Sequence, residues 1–298
     1  MKNKKKLISI IVNCYNGEKF LRESLTSIQN QEYKNWELIF WDNKSNDNSK
    51  KIFKSFKNKK FKYFSAKKHT SLYEARNLAI AKCKGEFISF LDTDDTWEKD
   101  KLNRQIKFFK NKKVGVVYGN LWILNEKYKK KKIFSDEKLL SGMIFNAILK
   151  NYNIGIITTL IRAKVLKINK IKFNKKFNHI GDFDLFIKLS KICQFKAIQD
   201  PVATYRIHGS NLSLKNTYKE INELQNWFKN NSSILNEDQR LMITKRLQRR
   251  KFIFFKLEKN FFSTLIFFIK NKNVFTNIKN LFILFTPVFI LKKVMWYQ

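Results

Sequence analysis

The sequence predicts an α/β fold, a mostly parallel sheet with helices on both faces, followed by a helical C-terminal extension. Three observations predict it. Short apolar runs alternate with amphipathic stretches from residue 7 to residue 118. Three of the strand ends break off into polar clusters. From about Thr217 the pattern becomes helical throughout.

Residues 7–12 form a continuous Ile-rich run, the pattern of a strand buried on both faces. Residues 13–17 carry turn chemistry, with Asn16 placed to cap a helix over about residues 18–29. Phe20, Leu21, Leu25 and Ile28 share one face of that helix. Residues 36–41 read as a second strand, ending in Asp42-Asn-Lys-Ser-Asn-Asp47 and leading to a polar helix that reaches about Phe56. Residues 61–64 are a short third strand. Residues 71–83 are helical, with Leu72, Ala75, Leu78, Ala79 and Ile80 apolar, and Gly85 reads as the stop.

Residues 87–91 make an apolar strand that ends abruptly in Asp92, Asp94 and Asp95. Carboxylates do not belong inside such a strand, so it stops where they begin. A helix over about 98–110 and a strand over 114–118 follow. In a parallel sheet the clusters at 13–16, 42–47 and 92–95 share one edge, the edge where open α/β sheets hold ligands. Asp92 and Asp94 are placed to hold a divalent cation, and the cation a diphosphate.

Residues 121–134 alternate and end in a lysine run, the pattern of a hairpin or extended arm. Residues 155–162 read as a strand. Residues 181–193 read as a helix with Phe183, Phe186, Ile187 and Leu189 apolar. Asp182 and Asp184 fall in its first turn, where the helix dipole alone favours acids. Residues 194–198 and 202–207 are short strands, and 208–213 a loop. Helical pattern fills 217–258, and two very apolar runs follow at 261–269 and 281–291. Neither reaches the roughly 20 residues a spanning helix needs. Pro287 interrupts the second, and Lys and Asn flank both. Three readings stand: amphipathic helices lying in a membrane surface, a partner or oligomer surface, or a packed helical cap.

The 298 residues carry 61 Lys+Arg against 24 Asp+Glu, a net charge of +37. The basic residues are mostly Lys and accompany many Asn, Ile and Phe, a mixture that AT-rich coding favours. Anionic lipid also attracts such a chain. No basic arm, zinc-finger spacing or RNA-binding aromatic signature is present, so nucleic acid is not an expected partner. Cys14, Cys83 and Cys193 are far apart and odd in number, which speaks against a disulfide framework or a paired metal site and for reduced thiols in the cytoplasm. The lysine-rich start resembles that of a signal peptide, but residues 7–12 are too short for its apolar region.

Six stretches then occur in a familiar order: Ser9-Ile-Ile-Val-Asn-Cys-Tyr-Asn16, Trp36-Glu-Leu-Ile-Phe-Trp-Asp-Asn-Lys-Ser-Asn-Asp47, Ala75-Arg-Asn77, Lys84-Gly-Glu-Phe-Ile-Ser-Phe-Leu-Asp-Thr-Asp-Asp95, Gly181-Asp-Phe-Asp-Leu-Phe186 and Tyr205-Arg-Ile-His-Gly-Ser-Asn211. Over about residues 7–213 the chain resembles the family 2 glycosyltransferases, which have the GT-A (Rossmann-like) fold. The resemblance does not cover the C-terminal tail.

The resemblance implies inverting, metal-dependent transfer of a sugar from a nucleotide-diphosphate sugar to a hydroxyl of a glycan or lipid-linked acceptor, in cell-surface polysaccharide biosynthesis. It implies Asp94 as ligand of Mg2+ or Mn2+, with Asp92 nearer the ribose and the metal's waters. Asp42 would accept a hydrogen bond from the base, Tyr15 and the backbone near Asn13 would pack on it, and Arg76 would reach the base or the phosphates. Asp182 would be the general base, taking the acceptor's proton, and His208 would lie near the diphosphate. Asn13, Lys44 and Gly181 stand where many members have Pro, Gly and an acid. The expected organisation is a catalytic domain over 1–215 and an apolar helical extension over 216–298, with peripheral contact at the cytoplasmic face of the cell membrane.

Two other classes compete. A non-catalytic nucleotide-sugar-binding or scaffolding module would not require Asp42, Asp92, Asp94 and Asp182 together. A nucleotidyltransferase would carry a Gly-rich phosphate loop with a basic residue after the first strand, and Asn13-Cys-Tyr-Asn16 has neither.

Overall fold

A computed structural model describes residues 6–211, 217–259, 261–275 and 278–294. The Ile-rich first run becomes β1 (Ile8–Cys14), buried except at Asn13. A helix, α1 (Glu18–Gln29), leads to β2 (Trp36–Asp42), buried along its whole length. Glu37 inside β2 is tolerated because its carboxylate accepts from Ser9 Oγ and the Lys84 N–H and pairs with Lys62. Next come α2 (Ser49–Ser55), β3 (Phe61–Ser65), α3 (Leu72–Ile80) and β4 (Phe87–Phe90). β3, β2, β1 and β4 are parallel neighbours in that order. Their carboxyl ends therefore share one edge.

The expected stop at Gly85 is corrected. α3 ends at Ile80, and the Gly85 N–H instead donates to Ser9 Oγ at 2.8 Å. A Cβ at residue 85 would sit 2.5 Å from the Ser9 nitrogen, so the glycine lets this segment press against β1.

Past β4 come β5 (Thr96–Trp97), α4 (Lys101–Ile106) with a 3-10 turn after it, and β6 (Val114–Asn125). β6 turns back into β7 (Lys130–Ile133), a hairpin, the first of the two expected readings. α5 (Phe145–Lys150), β8 (Leu160–Arg162), α6 (Ala163–Ile168), α7 (Gly181–Ser190) and β9 (Gln194–Ile207) follow. Among the described residues nine strands form one sheet, in the order β3-β2-β1-β4-β8-β6-β9-β5 with β7 on β6. β8 is antiparallel to both β4 and β6 and separates them. The parallel pattern thus ends at β4, although β6 keeps its direction. The strand expected over 155–162 is a 3-10 turn (Ile156–Thr158) followed by β8, and the two short strands after Cys193 are continuous through Pro201.

The chain divides into two compact units, residues 1–145 with 153–206, and residues 146–152 with 207–298. The second is helical: α8 (Thr217–Asn231), α9 (Glu237–Glu258), α10 (Phe261–Lys270), α11 (Ile278–Phe285) and α12 (Val288–Val294). A capping box starts α9, with Asn236 and Gln239 bonding each other's backbone. Phe252, Phe275 and Leu284 form an apolar core in this unit. Among the described residues no helix is long and apolar enough to cross a membrane, and Pro287 separates α11 from α12.

Candidate active site

The turns after β1 and β2 are joined side chain to backbone. The Asn16 N–H donates to Ser45 Oγ at 3.1 Å and the Gly17 N–H to Ser49 Oγ at 3.0 Å. The Glu18 N–H donates to Asp47 Oδ2 at 2.9 Å, and the Asn48 N–H to Glu18 Oε2 at 2.9 Å. Asn16 does not cap α1, contrary to expectation: its φ is 52°, and its Oδ1 accepts the Asn46 N–H. The orphan donors at the start of α1 are met from the neighbouring turn instead. Lys44, where the family pattern has Gly, adopts φ 72°, in the left-handed region that favours glycine.

Asp42 is buried at the end of β2. Its Oδ1 accepts the Ser45 N–H at 2.8 Å, and its Oδ2 accepts the Tyr63 hydroxyl. Burial, then this bond to Asp42, pushes the Tyr63 hydroxyl well above its usual range, so it stays a donor. Asn43 ties in the segment after β3, donating to Thr70 O at 2.8 Å and accepting from Thr70 Oγ1 at 3.0 Å. The His69 ring lies 4.2 Å from that of Tyr15, which is exposed. Asn13 Nδ2 is enclosed with no acceptor among the described residues, a donor available to a bound molecule. Tyr15, Asp42 and Asn13 therefore line one corner, with His69 as a neighbour that the sequence reading missed.

The second corner is centred on Arg76, buried on α3. Its Nη1 donates to Asp182 Oδ1 at 2.7 Å and its Nη2 to Asp92 Oδ1 at 2.9 Å. Asp182 is thus no simple cap: it stands in the first turn of α7, facing a cation from another element. Burial, with the charge on Asp92, raises its carboxyl to about 6 against the pull of Arg76. Asp184 instead bonds Lys188 one turn along the helix. A Cβ on Gly181 would lie 2.5 Å from the Tyr73 ring, which explains the missing acid: aromatic packing occupies that space. The Arg76 guanidinium also lies over the rings of Tyr73 and Phe173. The Ala75-Arg-Asn77 motif marked Arg76, but nothing in its spacing revealed its two partners.

The turn after β4 places Asp92 and Asp94 partly exposed and Asp95 buried. Burial, reinforced by Asp94 and Asp92, pushes the Asp95 carboxyl well above the usual range. Among the described residues no group of three or more acidic, His or Cys side chains forms a ready metal cage. Asp92 and Asp94 nevertheless fit a hard divalent cation that draws its other ligands from phosphates and water, the usual arrangement for Mg2+. Arg76 engages one Asp92 oxygen, which leaves a second on the same group. His208 falls in the second unit, where its Nδ1 accepts the Ser210 N–H at 3.2 Å.

The model of a family described as "Glycosyl transferase family 2" matches residues 9–179. The chain is 31% identical over 217 residues to the Escherichia coli UDP-Glc:alpha-D-GlcNAc-diphosphoundecaprenol beta-1,3-glucosyltransferase WfgD, covering 72% of this chain and 82% of that one. A second Escherichia coli enzyme of the same description, WfaP, is 29% identical, covering 72% and 82%. Among solved structures, S. aureus TarS residues 1–349 in complex with UDP-GlcNAc superposes with a TM-score of 0.66 at 19% identity, over 85% of this chain and 76% of that one. The mannosyltransferase PcManGT of Pyrobaculum calidifontis, in complex with GDP-Man and Mn2+, gives 0.57 at 14%, over 81% and 69%.

Proposed function

The chain belongs to glycosyl transferase family 2 and is a glycosyltransferase, and on that premise we propose that it transfers a hexose, with inversion, from a uridine-diphosphate sugar to a sugar hydroxyl on a lipid-diphosphate carrier. The observation that carries this reading is the bond of Arg76 to both Asp182 and Asp92. It joins a carboxylate suited to take a proton with the turn suited to face a diphosphate. Relatives whose names specify a UDP-glucose donor and a diphosphoundecaprenol-linked acceptor support both substrates.

Asp182 accepts the proton of the acceptor hydroxyl as that oxygen attacks the anomeric carbon from the face opposite the diphosphate. Arg76 fixes the carboxylate's direction and balances its charge. Tyr15 and Asp42 receive the uracil, with Asn13 Nδ2 as a donor to it. Asp94, with Asp92, would hold Mg2+ or Mn2+, which when bound offsets the charge on the leaving diphosphate.

The reaction takes place at the cytoplasmic face of the membrane that holds the acceptor. Phe262, Phe282 and Phe289 expose 73, 72 and 74% of their surface on α10, α11 and α12, far more than apolar packing leaves. Lys259, Lys270 and Lys272 are exposed nearby in sequence, a combination that suits an anionic bilayer. A triple Phe262→Ser, Phe282→Ser, Phe289→Ser variant is expected to stop sedimenting with anionic vesicles; unchanged sedimentation refutes the membrane contact.

The reaction itself is tested with UDP-glucose, a lipid-diphosphate-linked amino sugar and Mn2+. A β-linked product by NMR, lost on adding EDTA and restored by Mn2+, is expected. An α-linked product sinks the inverting assignment, and full transfer in EDTA sinks the metal assignment.

A further inference from the structure

Arg206, in the Tyr205-Arg-Ile-His motif, received no role from the sequence, and its surroundings supply one. The residue is buried at the end of β9 and grips the Asp92–Asp95 turn in two ways. Its backbone N–H donates to Asp95 Oδ1 at 2.8 Å, and its Nε donates to Asp94 O at 3.0 Å. The rest of the guanidinium fork reaches away from the turn. Nη1 donates to Glu126 Oε2 at 2.6 Å, just past β6, and Nη2 pairs with Glu23 on α1. The cation also lies 4.5 Å over the Phe20 ring.

The surrounding bonds continue the same grip. Ser24 Oγ on α1 donates to Asp92 O at 3.1 Å, and the Trp97 N–H donates to Ser27 Oγ at 3.2 Å. β5 pairs with β9 through Thr96↔Thr204 and Trp97↔Ala203. Arg206 on β9 thus links the turn to α1 and to the residue that follows β6.

We infer that Arg206 is a positioning residue that holds the Asp94 backbone where its carboxylate meets the cation of the donor complex. The inference rests on the reading of Asp94 as metal ligand. Two features suit the role. Three nitrogens have acceptors in different directions, which a planar fork satisfies and a single ammonium does not. Glu23 and Glu126 also counter the guanidinium charge, so a cation a few ångströms beyond the turn is not opposed by a bare positive group.

The test is Mn2+ binding by electron paramagnetic resonance in the presence of UDP, with UDP affinity without metal and melting temperature measured in parallel. Arg206→Lys is expected to weaken Mn2+ binding about tenfold or more, as loss of a group supporting a metal ligand does, with metal-free UDP affinity unchanged. Glu126→Gln and Glu23→Gln are expected to weaken it less, and they carry the test should Arg206→Lys not fold. Wild-type Mn2+ affinity in the variants, with only the melting temperature lowered, overturns the inference and leaves the metal site standing. Absence of Mn2+ uptake by the wild-type protein with UDP overturns both.

Discussion

The turns after β2 and β4 are both acidic, yet they spend their carboxylates differently. In residues 42–47 the acids bond neutral donors of the scaffold. Asp42 holds the Ser45 N–H and the Tyr63 hydroxyl, and Asp47 holds the Glu18 and Ser49 N–H groups. In residues 92–95 the acids face charge. Asp92 shares Arg76 with Asp182, and Asp95 accepts the Arg206 N–H through one oxygen while the other has no partner among the described residues. Backbone donors tame the first cluster into a shaped corner, and the second keeps electrostatic potential in reserve. The difference teaches that a run of acids after a strand does not itself identify chemistry; the partners of each oxygen do.

The largest expected effect follows from Asp182. Asp182→Asn should lower transfer about 10³-fold, the usual scale for a lost general base, in a steady-state assay. In the wild-type enzyme kcat/KM should rise with pH through about 6 and level above it, because only the deprotonated carboxylate accepts a proton. The stability sign is opposite. A carboxyl raised above its usual value holds its proton more tightly in the fold, so its contribution is full below about 4 and is lost as pH rises through about 6. Asp182→Asn should therefore not lower the melting temperature at pH 7.

Asp94→Ala comes next, with transfer reduced about 10²-fold or more and thermal stability nearly unchanged. A variant that instead melts early with normal turnover would make this turn scaffold as well and erase the contrast. Asp47→Ala probes the other side. It removes two N–H partners and should cost about 1 kcal/mol by denaturant titration, with kcat within twofold of wild type, taken as roughly unchanged. A collapse of kcat at full stability would move Asp47 from scaffold to chemistry. The smallest effect belongs to Lys44→Gly. Relief of the left-handed lysine should raise stability by roughly 0.5–1 kcal/mol, and an unchanged or lowered melting temperature would show that the lysine side chain compensates for its backbone.

Much of this was legible in residue order. Apolar runs such as 7–12 and 36–41 admit few alternatives to buried strands, and carboxylates end such strands because charge resists burial. The strand within residues 155–162 was expected, but the place of β8 in the sheet was harder to see. Three residues carry too little periodicity to signal an antiparallel insertion between β4 and β6. Gly85 read as a helix stop because glycine often is one, whereas its function is to admit the β1 backbone.

The sequence by itself determined the α/β alternation, the edge where the polar turns collect, the family and the residue types available for transfer. Tertiary structure decided what each acid is bonded to. Arg76 meets Asp182 across 106 positions and Arg206 meets Glu23 across 183. Helix and strand periods extend over a few residues, so they place a side chain on a face but do not choose its distant partner. That choice depends on burial and charge when the elements pack, which is why acids bonded to neutral donors and acids bonded to arginine look alike in sequence and differ in the fold.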